Sequence, residues 1–173
     1  MSRDPGPPRP NRSGSATDVF HVEFRLNGRP QAVSVPARWT LADALREKAG
    51  ATGTHLGCEH GVCGACTVLI DHEPVRSCLM LAVQAAGRDV RTVEGLADDT
   101  ALSPLQQAFA DHHALQCGFC TPGFLMLATG LLEADPEMDD ETIRTGLSAN
   151  LCRCTGYQPI VEAVIAARGG RRP

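Results

Sequence analysis

Aromatic side chains are scarce in this chain: its 173 residues hold five Phe, one Trp (Trp39) and one Tyr (Tyr157). Aromatics bury the most area per residue, so a small core built with few of them needs a further staple. Long apolar runs are missing as well. The longest, Gly123 to Leu132, is interrupted by Thr129 and Gly130 and falls well short of the roughly 20 residues that a membrane-spanning helix takes, so no membrane span is expected. There is no block of Lys and Arg, and the formal net charge is -4 at pH 7, which leaves no electrostatic footprint for nucleic acid. Residues 1–18, rich in Pro and dotted with Arg, contain no apolar stretch of the kind a secretory leader uses. The expectation is a cytoplasmic protein, with residues 1–18 and 169–173 as disordered tails.

Eight cysteines are present in this short chain. Disulfides, zinc and iron-sulfur clusters are the three explanations, and in a reducing compartment clustered cysteines are more often metal ligands than disulfides.

The pattern along the chain divides it into two. Phe20, Val22, Phe24 and Leu26 alternate with polar residues, Asn27-Gly28 follows, and Val33 and Val35 resume the alternation, which predicts a hairpin starting near Val19. Thr40 with Asp43 three residues on resembles a capping box, opening a short helix that Gly50 stops. Thr67 to Ile70 is a β-branched run, Asp71 to Pro74 is turn chemistry, and Asp89 to Val93 reads as a last strand. After Gly95 the period becomes helical. Ser103-Pro104 with Gln106 opens a helix to about His112, and Thr121-Pro122 repeats the cap-then-proline signal. Asp139 or Asp140 caps a third helix through Leu147, and Pro159 opens a fourth through Ala166. The fold class is α+β: residues 19–95 as a strand-rich domain and 96–168 as a helical one, with the boundary near residues 94–100.

Cys58, Cys63, Cys66 and Cys78 form a C-x4-C-x2-C array with a fourth cysteine further on, the plant-type [2Fe-2S] pattern. Gly57, Gly61, Gly64 and Ala65 lie among them. A loop that wraps a cluster turns tightly and brings backbone N–H groups to the sulfurs, and large side chains would obstruct it. Structural zinc sites usually pair cysteines as two knuckles, whereas three of these share one loop. Cys117, Cys120, Cys152 and Cys154 make the second quartet, both pairs expected near helix ends, where N–H groups and the positive dipole end stabilise thiolates. Taken alone, this quartet leaves both cluster and zinc open, although a C-x-C pair sits awkwardly on one tetrahedral ion.

Order and spacing together, with Gln116-Cys117-Gly118-Phe119-Cys120-Thr121-Pro122-Gly123 and Asn150-Leu151-Cys152-Arg153-Cys154-Thr155-Gly156-Tyr157, resemble the small iron-sulfur subunit of the xanthine oxidase and aerobic carbon monoxide dehydrogenase family of molybdenum hydroxylases. The resemblance runs from about Val19 to Arg168. It implies a β-grasp, plant-type ferredoxin-like domain followed by a four-helix bundle with pseudo-twofold symmetry, each holding one [2Fe-2S] cluster. It also implies a large partner subunit that binds the molybdenum-pterin cofactor and hydroxylates substrate, and usually a medium subunit that binds FAD.

On that resemblance electrons pass from molybdenum to the second quartet, on to the first, and out towards FAD or another acceptor, with Gln116 and Cys154 beside the partner's pterin. This chain itself has no substrate-transforming site and no catalytic residue. Trp39 and Tyr157 are expected to be packing anchors, and the His112-His113 pair is left out of the sites. The competing readings are a free two-cluster ferredoxin-like carrier, against which the helical second domain argues, and a zinc-stapled structural protein.

Overall fold

The computed structural model describes residues 18–98 and 101–168. The expected tails, apart from Asp18 at the inner edge of the first, lie outside the described residues, as does part of the expected domain boundary.

Alternating apolar residues on either side of Asn27-Gly28 form β1 (Val19–Leu26) and β2 (Arg29–Pro36), paired antiparallel with Val22 opposite Val33 and Phe24 opposite Gln31. Asn27 and Gly28 both adopt positive φ, at 50° and 77°, the two-residue turn whose twist matches that of the strands. The capping box is realised in α1 (Leu41–Glu47). The Asp43 N–H donates to Thr40 Oγ1 at 3.1 Å, and the Thr40 N–H donates to Asp43 Oδ2 at 3.0 Å. Leu41, Ala44 and Leu45 of this helix join Val22, Phe24, Val33, Val35, Val68, Ile70 and Val90 in one core. Each fully buried Leu there contributes roughly 1.5–3 kcal/mol of transfer free energy.

Two expectations need correction here. Only Asp71 and His72, at φ 49° and 74°, form the turn after β3 (Thr67–Ile70). Glu73 and Pro74 instead begin a strand, β4 (Glu73–Arg76). Proline is tolerated because β4 is the edge of the five-stranded sheet, ordered β2-β1-β5-β3-β4, where a missing N–H donor removes no ladder bond on the open side. The last strand, β5 (Asp89–Arg91), stops short of Val93, because Val93–Gly95 turns into a single 3-10 turn. It runs parallel to β1 and antiparallel to β3.

Four helices follow: α2 (Pro104–Asp111), α3 (Thr121–Ala134), α4 (Asp140–Leu147) and α5 (Gln158–Ala167). Ser103 and Gln106 close a second capping box, and Asp139 caps α4. Leu105, Phe109, Phe124, Ile143, Leu147, Ile160 and Val164 share a separate core. The architecture is therefore a five-stranded mixed sheet with one helix in the first half and four helices in the second. Among the described residues no helix is long and apolar enough to cross a membrane.

The two halves meet along α3. Gly123 and Gly130, two turns apart, lie on one face of that helix. A Cβ at Gly130 would sit 2.5 Å from Pro74 Cγ and 2.9 Å from Leu69 Cδ2, and one at Gly123 would overlap the Gly64 carbonyl oxygen. The two glycines of the apolar run are thus the places where helix backbone lies directly against β3, β4 and the first cysteine loop. At the far end Glu133 accepts from Arg91 Nη1 at 2.7 Å and pairs with His72 at 3.0 Å. Burial works against the Glu133 carboxylate, but these two partners outweigh it and hold it below its usual range.

Candidate metal centres

All eight cysteines are free thiols. Cys58, Cys63 and Cys66 lie on the loop before β3, and Cys78 follows β4. The loop winds through positive φ at Glu59 (55°), Gly61 (86°) and Gly64 (73°). Glycine at Gly57 has a different reason, since a Cβ there would press on Cys63 Sγ at 3.2 Å and the Phe119 ring at 3.4 Å. The winding delivers N–H groups to sulfur, as the Cys63 N–H donates to Cys58 Sγ at 3.3 Å. That donor, with the His60 N–H next, lowers the Cys58 thiol to about 6. Cys66 and Cys78 are buried together, and the Ser77 hydroxyl and N–H both donate to the Cys66 carbonyl, at 2.7 and 3.3 Å. Burial, and then the neighbouring Cys66, push the Cys78 thiol up to about 11.

The second quartet is assembled from two loops of the helical half. Cys117 and Cys120 lie between α2 and α3, and Cys152 and Cys154 between α4 and α5, with Cys154 Sγ 3.5 Å from Cys117 Sγ. Cys120, not Thr121, is the N-cap of α3, and its side chain makes no capping bond. The expectation that a helix N-terminus would favour thiolate fails at this residue: burial and the adjacent Cys152 raise it to about 12. Cys117 is lowered, but chiefly by the Phe119 N–H of its own loop, which precedes the cap of α3. Cys152 and Cys154 stand apart from the first turn of α5, which opens only at Gln158. Cys152 is served instead by its own loop, which donates the N–H groups of Cys154 and Thr155 and the Thr155 hydroxyl to its sulfur.

The two cysteine loops meet at the seam between the halves. A cavity of about 370 Å³ is lined by Cys63 of the first loop together with Cys117, Cys120, Cys152, Phe119, Leu151 and Tyr157. The Leu151 N–H donates to the Cys63 carbonyl at 2.9 Å, and the buried Asn150 amide donates to the Gly64 carbonyl at 3.2 Å. His55 stacks on Phe119 and its Nδ1 lies 2.7 Å from the Phe119 carbonyl. Asn150, His55, Thr155 and Tyr157 are the residues that sequence reasoning passed over as site residues. Their only local signal is adjacency to a cysteine motif. Tyr157 proves to be more than an anchor against Phe124, because its phenolic oxygen accepts the Cys152 N–H at 3.1 Å. Trp39 packs against the first core, and Gln116 is exposed beside Cys117.

These residues suit iron-sulfur groups. The donor set is all thiol, backbone N–H groups converge on the sulfurs, and Thr121 Oγ1, beside Cys120, is buried without a partner. Among the described residues no set of three or more His, Cys, Asp or Glu closes around a single ion. In the cluster-free protein, a thiol that ionises above about 6 is thiolate near neutral pH, whereas one at about 11 or 12 is not. Iodoacetamide near neutral pH is accordingly expected to label Cys58 well ahead of Cys78 and Cys120. Peptide mass spectrometry over time reads this directly, and equal labelling rates would contradict it.

Comparison with known proteins agrees with this chemistry. A 2Fe-2S iron-sulfur cluster binding domain matches residues 24–97, and a [2Fe-2S] binding domain matches residues 92–165. Fold and site thus define a protein with two [2Fe-2S] domains. The nicotine 6-hydroxylase small subunit of Paenarthrobacter nicotinovorans is 61% identical over 155 residues, 90% of this chain and 93% of that one. Caffeine dehydrogenase subunit gamma of Pseudomonas sp. (strain CBB1) is 56% identical, covering 83% and 87%. The structure of quinoline 2-oxidoreductase from Pseudomonas putida 86 superposes with a TM-score of 0.84 at 50% identity, covering 87% of this chain and 94% of that one. The chain belongs to the small iron-sulfur subunits of the molybdenum hydroxylases and dehydrogenases, which transfer electrons within a complex that includes a large molybdenum subunit.

Proposed function

We propose that Cys58, Cys63, Cys66 and Cys78 hold one [2Fe-2S] cluster on a β-grasp domain, and that Cys117, Cys120, Cys152 and Cys154 hold the other on a four-helix bundle. Residues 19–95 and 96–168 are the two units. When bound, each cluster stores and releases one electron. The chain's own residues hold the sulfurs, donate N–H groups to them and fix the two loops against each other. The observation that carries the reading is the seam itself, where the residue before Cys152 is hydrogen-bonded to the carbonyl of Cys63 at 2.9 Å.

The second quartet faces the molybdenum subunit in this reading. Cys117 and Cys154 are exposed, and around them stand the exposed apolar side chains of Leu115, Phe119 and Leu151, surface that a permanent partner would cover. Gln116 and Cys154 then border the pterin. The first quartet faces the onward acceptor, for which we propose FAD on a medium subunit, and its exposed neighbours Val62 and Leu79 suit a second interface. The free-thiol state of every cysteine suits a reducing compartment such as the cytoplasm. The relatives named above act on nicotine, caffeine and quinoline, and we extend the nitrogen-heterocycle class to the complex containing this chain. A free carrier leaves the exposed apolar rim of the second quartet without purpose.

Gln116 supplies the test. It is exposed, ligates nothing in this reading, and can reach a partner by hydrogen bonds alone. In the complex, Gln116→Ala is expected to leave both clusters assembled but to slow substrate-driven reduction of the helical-domain cluster about tenfold, the equivalent of one lost hydrogen bond of about 1.4 kcal/mol. Rapid-freeze EPR after substrate mixing separates the two clusters. Unchanged kinetics would remove the reason for setting the second quartet beside molybdenum.

A further inference from the structure

The four sulfurs of the second quartet are served very unequally. Cys152 Sγ accepts the Thr155 hydroxyl at 3.2 Å, the Thr155 N–H at 3.4 Å and the Cys154 N–H at 3.5 Å. The Thr155 hydroxyl has one proton and two acceptor sites. One acceptor site is taken by the Tyr157 N–H at 3.1 Å, held there by the left-handed turn at Tyr157, φ 70°. With that side engaged, the hydroxyl proton is directed onto Cys152. The Tyr157 phenolic oxygen closes the circuit by accepting the Cys152 N–H at 3.1 Å. Thr155 and Cys152 are both half-buried, so water competes only partly for these bonds. The same donors would meet the ligand sulfur of a bound cluster.

We propose that Thr155 is the redox-positioning residue of the second centre: through the hydroxyl and N–H it donates to Cys152 Sγ, it raises that centre's reduction potential. This rests on reading Cys152 as a cluster ligand. One-electron reduction adds one negative charge to the metal-thiolate group, with the electron coming from the partner's molybdenum in turnover and from dithionite in a titration. Donors aimed at a ligand sulfur favour the more negative state, and hydrogen bonds to sulfur are among the determinants of cluster potential. The N–H stays whatever the side chain, so the hydroxyl is the part that this position can vary. A higher potential at the second centre makes it the better first acceptor. Among the described residues the Thr155 hydroxyl donates to Cys152 Sγ and to no sulfur of the first quartet, so the effect belongs to one centre.

The experiment is an EPR-monitored potentiometric titration of the intact complex carrying Thr155, Thr155→Ser or Thr155→Val. Thr155→Val keeps the branched shape and loses the hydroxyl. Its expected result is a tenfold lower reduced-to-oxidised ratio for the second centre at fixed ambient potential, about 59 mV for a one-electron couple. Thr155→Ser keeps the donor and is expected to stay near the parent, and the first centre is expected not to move in either variant. Should the valine variant fail to assemble, Thr155→Ala lacks the same donor without the branched bulk and is expected to give the same shift. Two two-iron signals with an unmoved second midpoint in the hydroxyl-free variant overturn the inference and leave the ligand reading standing. A single two-iron signal in the parent overturns the ligand reading and the inference with it.

Discussion

Cys63→Ser and Cys120→Ser are expected to remove one cluster each, leaving about two of the four iron atoms per chain that two two-iron centres require. The separation follows from the architecture. The first quartet is carried by a loop and strand that pack on one core, and the second by loops between helices that pack on another. Loss of a ligand in one half leaves the thiols and N–H donors of the other intact. Cys120→Ser has a second consequence, since the residue is the N-cap of α3 and is packed against the helical core. A serine there exchanges a half-buried thiol for a hydroxyl, and the backbone at this cap, φ -82° and ψ -14°, is not the extended one from which a serine caps a helix, so a lower melting temperature is expected beside the lost signal. Iron and acid-labile sulfide analysis with EPR of each variant complex is the measurement. Stoichiometric zinc with no visible absorption would defeat the cluster assignment, and loss of both signals from either variant in a folded protein would defeat the independence of the two quartets.

Gly123→Ala is expected to destabilise the protein even though alanine is the better helix former. The propensity gain is about 1 kcal/mol at most in a helix interior, and less in a first turn. Against it stands the backbone of the first cysteine loop, because a Cβ at Gly123 would overlap the Gly64 carbonyl oxygen and approach Ala65 Cα at 3.0 Å. Neither atom belongs to a flexible side chain that could swing away. Overpacking of this kind costs roughly 1–3 kcal/mol, which for a chain of this size corresponds to an apparent melting temperature lower by roughly 2–12 °C. The displaced loop carries Cys63 and Cys66, so the EPR line shape of the first centre is expected to change while the second keeps its own. Gly146→Ala is the control, since a Cβ there meets only the side chain of Leu131, at 2.8 Å, which can move. A melting temperature in Gly123→Ala equal to or above the parent's would show that the α3 seam yields easily and does not set the spacing of the two loops.

The sequence was most legible where the physics is local. Thr40 with Asp43, Ser103 with Gln106 and Asp139 with Thr142 each satisfy helix N–H groups across three residues, so their caps are written in the chain itself. Asn27-Gly28 specifies its turn in the same way, through backbone conformations that few residue pairs accept. The cysteine spacings are local too, and with the flanking motifs they point to the family whose two [2Fe-2S] domains match this chain.

Position in the sheet, burial and the meeting of the two halves were decided only in three dimensions. Pro74 belongs to a strand because β4 is an edge, and edge status is a property of the whole sheet. Cys120 keeps a raised thiol because burial and Cys152 outweigh the helix end, and both arise from distant segments. Gly64 and Asn150 lie 86 residues apart, yet the amide of one side chain reaches the other's carbonyl, because the glycine face of α3 lets two backbones approach without intervening side chains. The order of residues thus pointed to two cysteine groups and to the [2Fe-2S] chemistry of the two matching domains. How near the two cysteine loops stand depended on packing between surfaces that no local pattern encodes.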